Sequence, residues 1–209
     1  MIHQNQPLLA AGKPLSDASA AMIMVHGRGA SAESILSLAS EFDLPEFAYL
    51  APQAAGYTWY PQRFIAPTAQ NEPHLSSALQ RVGEVVVQIE QHGIPAEKII
   101  LLGFSQGACL VVEYAARNAK RWGGVAVLSG GLIGDKVTLE NYTGSLDGTP
   151  AFLGCSDPDF HIPAERVRES THILRQLSAD VTERLYPNLG HTINQDEVDF
   201  VRQMMKSIL

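Results

Sequence analysis

The sequence predicts an α/β fold in which helices cover both faces of a mostly parallel central sheet. Short apolar runs alternate with amphipathic stretches along the whole chain of 209 residues, which is the pattern of successive β-α-β units. The chain is 45% hydrophobic and 18% charged, a composition that suits one substantial core. No internal repeat or low-complexity linker divides it. We therefore expect residues 1–209 to form a single domain without a large cap domain.

Six short apolar runs are predicted to be the main strands of this sheet, because each is bounded by turn residues and is too short for a buried helix. In chain order they cover residues 21–25, 47–51, 99–104, 123–128, 151–154 and 182–186. A further hairpin at the edge of the sheet is predicted over residues 8–15, with its turn at Gly12 and Lys13.

Four amphipathic segments are predicted to be the principal helices. They cover residues 75–91, 106–118, 164–177 and 196–208. Gly93 and Pro95 follow the first of them and Pro163 directly precedes the third, as expected of residues that end or begin helices. Segments 52–73 and 130–149 show no clear period. They are either functional loops or solvated surface connections.

The turn between the third predicted strand and the second predicted helix carries the chemistry. Residues 103–107 read GFSQG, which fits GxSxG, the signature of a nucleophile elbow when a strand precedes it and a helix follows. The central serine of such a turn has a strained backbone, and glycines two positions before and after leave room for strand and helix to approach. Ser105 is therefore the predicted nucleophile of a serine hydrolase.

A serine nucleophile needs a histidine to accept its proton and a carboxylate to orient that histidine. After a nucleophile elbow they follow in the order serine, acid, histidine, each behind a strand. His191 comes after the last predicted strand and is the predicted base. The acid is expected after the strand at 151–154, where Asp157 and Asp159 compete for the role. The other aspartate is expected to tighten the turn or to cap the next helix.

The early strand at 21–25 is followed by HGRG at residues 26–29. Hydrolases with this elbow place one oxyanion-binding amide in such a turn and the other directly after the nucleophile. The predicted amides are therefore those of Arg28 and Gln106. Since only its backbone N–H is needed, the side chain of Arg28 is free to contact the substrate or an acidic neighbour. His26 is predicted to be a buried histidine that fixes the turn rather than a second base.

Together these motifs resemble the phospholipase/carboxylesterase family of small α/β hydrolases, which includes acyl-protein thioesterases and bacterial carboxylesterases. The resemblance covers nearly the whole chain. It rests on HGRG at 26–29, the Trp59-Tyr60 pair, GFSQG at 103–107, SGG at 129–131, the acid turn at 156–163 and Gly190-His191. It implies the α/β-hydrolase fold and a shallow, weakly lidded site.

The resemblance also implies which aspartate serves the triad. The acid turn of the family has the form GDxDPxVP, and laid without gaps on residues 156–163 it puts the triad acid at Asp159, with Asp157 in reserve. This sequence departs from the pattern at Ser156, Phe160 and His161.

Candidate substrate-binding residues come from the same resemblance. Trp59 is expected to form part of the pocket wall, Arg63 to lie near its rim and His161 to line the acyl pocket. The aromatic residues of segment 52–73 are the only obvious material for such a wall, although aromatic side chains in loops also anchor a loop to the core.

Charge and composition argue against other classes of protein. Fifteen Lys and Arg against 22 Asp and Glu give a net charge of −7, so the field repels nucleic acid and anionic membrane surfaces. The apolar run at 18–25 is too short to cross a bilayer, and the N-terminus lacks the basic start of a signal peptide. Stable membrane insertion is therefore not expected. Cys109 and Cys155 are expected to be buried and unpaired, which favours a reducing, cytoplasmic location.

No metal and no cofactor are expected. The seven histidines include no pair with HExxH spacing, and neither GxGxxG nor a Walker-type phosphate loop is present.

We therefore expect a serine carboxylesterase that hydrolyses short to medium acyl esters through a Ser105 acyl-enzyme, with a small-molecule ester as its partner. An acyl-thioesterase or a lysophospholipase fits the same resemblance. A dienelactone-hydrolase-like enzyme is a further alternative, although such enzymes have cysteine at the nucleophile. Outside enzymes, a ligand-binding module with a hydrolase fold is the alternative, but its usual mark is a broken triad. The sequence leaves a homodimer open.

Overall fold

The computed structural model describes residues 1–209 and contains one seven-stranded sheet. The strands are β1 (Leu8–Gly12), β2 (Ala20–Val25), β3 (Phe47–Pro52), β4 (Ile99–Phe104), β5 (Gly124–Leu128), β6 (Pro150–Asp157) and β7 (Asp180–Pro187). Their order across the sheet is β1-β3-β2-β4-β5-β6-β7. All neighbours are parallel except β1, which runs antiparallel to β3. The predicted α/β fold with a mostly parallel sheet is confirmed.

Helices cover both faces of this sheet. They are α1 (Ala32–Leu36), α2 (Ala39–Phe42), α3 (His74–Gln91), α4 (Gln106–Arg117), α5 (Ala164–Gln176) and α6 (Gln195–Lys206). The four long helices agree with the predicted bounds to within two residues. The short α1 and α2 are not among the predicted helices, because five and four residues show no period. None of the helices combines the length and the apolar character that crossing a membrane requires.

Strand β2 shows how the sheet divides the core into two layers. All six of its residues are fully buried, because successive side chains point to opposite faces and helices cover both. Ala21, Ile23 and Val25 belong to the apolar cluster under α3, α4 and α5. The residues between them belong to the cluster under α1, α2 and α6.

The hairpin predicted over residues 8–15 is wrong. Only β1 forms, and it pairs with β3, so that Gly12 lies opposite Ala48. Gly12 adopts a positive φ of 73°, which turns the chain away from the sheet. Pro14 then lacks the N–H that a returning strand would need.

The parallel topology brings the candidate residues to one edge of the sheet. The carboxyl ends of parallel strands meet at a common edge, where open α/β sheets bind their ligands. Residues 26–29 follow β2, Ser105 follows β4, Asp159 follows β6 and His191 follows β7. Residues far apart in the sequence are thereby gathered at the same place.

A buried carboxyl group lies at the start of α6, shortly after His191. Glu197 is fully buried. Its Oε2 accepts a hydrogen bond of 2.9 Å from the N–H of Asn194, whereas its Oε1 has no partner. Burial disfavours the charged form and outweighs that hydrogen bond, which raises the pKa of Glu197 to about 7.

Replacing Glu197 by Gln is expected to remove a pH dependence of stability. In the unfolded chain this carboxyl ionises near pH 4.5, whereas in the fold it keeps its proton up to about pH 7. Between these values the folded state binds more protons than the unfolded state. The free energy of unfolding of the wild type therefore falls as the pH rises, by up to about 3 kcal/mol above pH 7.

Urea unfolding of wild type and Glu197→Gln at pH 5 and pH 8 measures this difference. The wild type should lose stability relative to the variant between the two pH values. Glu33→Gln, which changes an exposed carboxylate, is the matched control. If the wild type and Glu197→Gln respond equally to pH, Glu197 does not carry a raised pKa.

Candidate active site

Ser105 lies in the turn between β4 and α4. Its backbone has φ 55° and ψ −118°, a conformation that is strained for a residue with a side chain. A Cβ on Gly103 would lie 2.3 Å from the carbonyl oxygen of Gly107, and a Cβ on Gly107 would lie 2.0 Å from that of Val25. Only glycine fits at either position. The two glycines thus allow β4, α4 and the end of β2 to pack closely around the serine.

A continuous chain of hydrogen bonds runs from Ser105 through His191 to Asp159. The hydroxyl of Ser105 lies 2.9 Å from Nε2 of His191, and Nδ1 of His191 lies 2.7 Å from Oδ2 of Asp159. In the neutral imidazole with its proton on Nδ1, Nε2 is free to accept the serine proton. The rings of Phe104 and His161 flank that of His191, with centroids 5.0 and 4.8 Å away. They hold the imidazole in this orientation.

The carboxylate of Asp159 is buried and held on both of its oxygens. Its side chain has no exposed surface. Oδ1 accepts hydrogen bonds from the N–H groups of His161 and Ile162 at 2.8 and 3.1 Å, while Oδ2 faces His191. Burial alone raises the pKa of Asp159, but the hydrogen bonds from His191, His161 and Ile162 outweigh burial and leave the pKa below its usual value. The group is therefore ionised at neutral pH.

Asp157, the alternative acid, lies elsewhere. Its side chain is 48% exposed and pairs at 3.5 Å with Arg168. The structure therefore brings Asp159 to His191 and leaves Asp157 on the surface.

Ser156 links the acid turn to the segment that carries the histidine. Its hydroxyl donates to the carbonyl oxygen of Pro158 at 2.9 Å and accepts from the N–H of Gly190, also at 2.9 Å. The sequence shows Ser156 only as a departure from the GDxDPxVP pattern. No sequence signal identifies this link, because its partner lies 34 residues away.

Two backbone N–H groups lie free beside Ser105. The N–H of Gln106 is the first of α4. The first N–H groups of a helix have no acceptor within the helix and lie at the positive end of its dipole. The N–H of Arg28 donates to no acceptor in the protein. The turn that carries it lies against the serine, since a Cβ on Gly27 would be 3.3 Å from that of Ser105.

The side chain of Arg28 has a structural partner of its own. Its guanidinium donates to the carbonyl oxygens of Tyr60, Pro61 and Gln62 at 2.9, 3.0 and 2.7 Å. It has no acidic partner, contrary to one of the sequence-based expectations. Arg28 therefore fixes the loop at 60–62, which faces Ser105.

The side chain of Gln106 holds residues 58–60, where that loop begins. Its Oε1 accepts from the N–H of Trp59 at 2.9 Å and from the hydroxyl of Thr58 at 3.2 Å, and its Nε2 donates to the carbonyl oxygen of Tyr60 at 2.8 Å. The sequence points to the N–H of Gln106 alone and gives no signal for its side chain.

The prediction that Trp59 lines the pocket is wrong. Trp59 is fully buried, and its Nε1 donates to the carbonyl oxygen of His26 at 2.9 Å. Its ring packs between the imidazoles of His3 and His26, with centroids 5.3 and 5.1 Å away. Trp59 therefore anchors the loop behind the site rather than forming the wall.

His26 is a buried structural histidine, as predicted. It has no exposed surface, and burial lowers its pKa. Its Nε2 accepts from the N–H of Ala54 at 3.1 Å, and its Nδ1 lies 2.8 Å from the carbonyl oxygen of Gly27. It joins the HGRG turn to the chain after β3.

A cavity of about 380 Å³ opens beside the serine. The structure brings Arg63 and His161 to its wall, as the sequence predicts, and places Trp59 outside it. The lining residues are Arg28, Tyr60, Pro61, Gln62, Arg63, Phe64, Ser105, Gln106, Cys109, His161, Ile162 and His191.

The chain has a family match and close structural neighbours. Residues 10–209 match the profile of the Phospholipase/Carboxylesterase family. The chain is similar to the solved phospholipase/carboxylesterase of Dyadobacter fermentans, at 45% identity over 99% of both chains with a TM-score of 0.94. A carboxylesterase from Bacillus cereus has a TM-score of 0.76 at 17% identity, over 98% of this chain and 95% of that one, and shows the shared fold alone.

Curated relatives match parts of the chain. It is 30% identical to Acyl-protein thioesterase 1 of Gibberella zeae, over 56% of this chain and 51% of that protein. It is 26% identical to Probable carboxylesterase SOBER1-like of Arabidopsis thaliana, over 80% of this chain and 58% of that protein. The chain thus spans between half and three fifths of the length of these two relatives.

Proposed function

The chain belongs to the phospholipase/carboxylesterase family, and from that premise we propose that it is a serine carboxylesterase that hydrolyses short to medium acyl esters through an acyl-enzyme. The observation that carries the proposal is the chain of hydrogen bonds from Ser105 through His191 to Asp159, at 2.9 and 2.7 Å. A hydroxyl, an imidazole and a carboxylate in this arrangement are the groups that acyl transfer needs.

In the first half of the proposed reaction, Oγ of Ser105 attacks the ester carbonyl carbon while Nε2 of His191 takes the serine proton. His191 then gives this proton to the leaving alcohol, and the acyl group stays on Ser105. In the second half, His191 takes a proton from water, and the resulting nucleophile attacks the acyl-enzyme. Collapse of the tetrahedral intermediate formed in this way releases the acid, as His191 returns its proton to Ser105. Asp159 stays ionised throughout and stabilises the imidazolium.

The N–H groups of Arg28 and Gln106 are the proposed donors to the oxyanion. The ester oxygen becomes negative in each tetrahedral intermediate, and donors fixed in advance around it are usually the largest single contribution to the rate. Both groups flank Ser105, and the N–H of Arg28 has no competing protein acceptor.

The size and the lining of the cavity support a short to medium acyl group. It holds about 380 Å³, and four of its 12 lining residues are hydrophobic. Each buried methylene gains about 0.8 kcal/mol only where apolar surface receives it. Phe64 and Ile162 offer such surface, but only over a short distance, so a long lipid chain would extend into solvent.

Alternative substrates would use the same groups. Similarity to an acyl-protein thioesterase supports thioesters as a second candidate, whereas a lysophospholipid would place a long chain in a small cavity. Turnover of a thioester, a lysophospholipid and an aryl ester of matched acyl chains separates these three. A dienelactone hydrolase would have cysteine in place of Ser105. Covalent labelling of Ser105 by a fluorophosphonate distinguishes an enzyme from a ligand-binding module.

We also propose a cytoplasmic location, because Cys109 and Cys155 are both buried and free. A single domain over residues 1–209 and a homodimer are proposed as well. Size-exclusion chromatography with light scattering tests the homodimer.

Ser105→Ala is expected to abolish esterase activity and leave the fold intact, because the serine lies in a turn outside the two apolar clusters. The loss of a triad nucleophile lowers kcat on the order of a millionfold. Hydrolysis of an aryl acetate measures activity, and circular dichroism measures folding. A folded variant that keeps more than about a thousandth of the wild-type kcat is incompatible with Ser105 as the nucleophile.

Asp159→Asn is expected to lower kcat by about four orders of magnitude, because the amide no longer holds His191 in the correct tautomer. Asp157→Asn is the matched control two residues away. It removes only an exposed pair with Arg168 at 3.5 Å, so kcat should stay near that of the wild type. An inactive Asp157→Asn beside an active Asp159→Asn would reverse the assignment of the acid.

Phe64→Ala is expected to shift the optimum of kcat/KM toward longer acyl chains, because it removes a large side chain from the cavity wall. Trp59→Phe is the control, since it keeps an aromatic ring behind the wall. It removes the hydrogen bond to His26 and part of a fully buried side chain, so it should lower stability by about 2–3 kcal/mol without moving the optimum. Aryl esters from acetate to decanoate supply the profiles. The assignment of the wall is refuted if only Trp59→Phe moves the optimum.

A further inference from the structure

The wall of the cavity carries basic side chains and no acidic one. Two arginines and two histidines line it, namely Arg28, Arg63, His161 and His191, and no carboxylate does. Asp159 is screened from the cavity behind His191, with a fully buried side chain. The whole chain carries a net charge of −7, so a wall with two arginines and no carboxylate departs from the acidic balance of the rest of the protein.

Arg63 is the one arginine of the wall whose guanidinium has no partner. It makes neither a hydrogen bond nor an ion pair with the protein, and the residue is exposed. Its backbone is fixed, because its carbonyl oxygen accepts from the N–H of Ala66 at 3.0 Å and from the amide of Asn71 at 3.3 Å. Asn71 is itself fully buried. A free guanidinium on a fixed backbone suits bidentate binding of a carboxylate.

The rest of the wall offers further donors to an anion. Arg28 binds three carbonyl oxygens and no carboxylate, so its positive charge is not neutralised by a neighbour. Tyr60 and Cys109 also line this wall, but Tyr60 is 1% exposed and its hydroxyl lies beside the Cys109 thiol, so the arginines remain the groups that face an anion.

We propose that the cavity selects esters that carry a second, anionic group, a carboxylate on either the acyl or the alcohol part, and that Arg63 is the specificity-determining residue that binds it. This inference rests on the proposed esterase function and names its substrate class. His161, beside His191 on the same wall, contributes a further donor. A neutral ester of the same shape offers the guanidinium no charged partner.

Two matched pairs of esters test the proposal and locate the anion. The first pair compares monomethyl glutarate with its neutral amide, methyl 4-carbamoylbutanoate, and so places the charge on the acyl part. 4-Acetoxybenzoate against 4-acetoxybenzamide places it on the leaving group. In at least one pair the wild type should favour the anion in kcat/KM by about tenfold or more, the discrimination that a charge-assisted hydrogen bond supplies. The preference should weaken at high salt.

The variant Arg63→Gln should bring the anion-to-neutral ratio of that pair close to one. Arg121→Gln is the matched control for the loss of one positive charge. Arg121 is exposed and donates to the carbonyl oxygen of Asp147 at 3.0 Å. It precedes β5, at the edge of the sheet opposite the cavity. The anion-to-neutral ratio of Arg121→Gln should therefore equal that of the wild type. A ratio near one for both pairs in an active wild type overturns the proposal but leaves the esterase function intact. A preference that survives Arg63→Gln overturns the role of Arg63.

Binding without turnover separates this inference from the esterase proposal. Calorimetric titration of the wild type with glutarate and with 4-hydroxybenzoate should show that at least one of these anions binds. The neutral diamide of glutarate and 4-hydroxybenzamide should not bind, and Arg63→Gln should lose the binding of the anion. Absence of anion binding counts against the inference even if esters are cleaved. Conversely, failure to cleave any ester refutes the esterase function, while selective anion binding lost in Arg63→Gln still supports the cavity as an anion site.

Discussion

The close approach of β2, β4 and α4 at two glycines is the constraint on which the site depends. A side chain at Gly107 would collide with the carbonyl of Val25, and one at Gly103 would collide with Gly107 itself. Because neither exists, α4 begins against the ends of both strands. This packing gives Ser105 its positive φ and places the turn after β2 beside it. One steric condition thus sets the nucleophile and both candidate oxyanion donors together.

The residues that supply these donors also shape the cavity. Arg28 and Gln106 present backbone N–H groups beside Ser105, while their side chains hold residues 58–62 through six hydrogen bonds in all. The wall that faces the substrate is therefore positioned from the same two points as the oxyanion donors. A loop without regular structure becomes a defined surface in this way, since its carbonyl oxygens are fixed by charged and amide donors rather than by a strand.

Local patterns in the sequence predict most of the fold, and motif order predicts which residues meet at the sheet edge. What the sequence does not reveal depends on tertiary partners. The hairpin at 8–15 fails because β1 pairs with a distant strand. From its residue type, Trp59 could either line the pocket or anchor its loop to the core. Its burial and its hydrogen bond to His26 show that it anchors the loop. Asp157 ends β6 and is exposed, whereas Asp159 lies in the turn that follows, where two backbone N–H groups hold its carboxylate.

Net charge and site charge act over different distances, which reconciles an acidic chain with a basic cavity. The overall charge of −7 repels an anion only weakly beyond the Debye length, about 8 Å at physiological salt. At the cavity wall, Arg63 and Arg28 act on a bound anion at contact distance, well inside the Debye length, where salt screens little. The sequence-level argument against nucleic acid concerns extended contact with the outer surface. A small anionic ester meets that surface only in passing and binds where the local charge is positive.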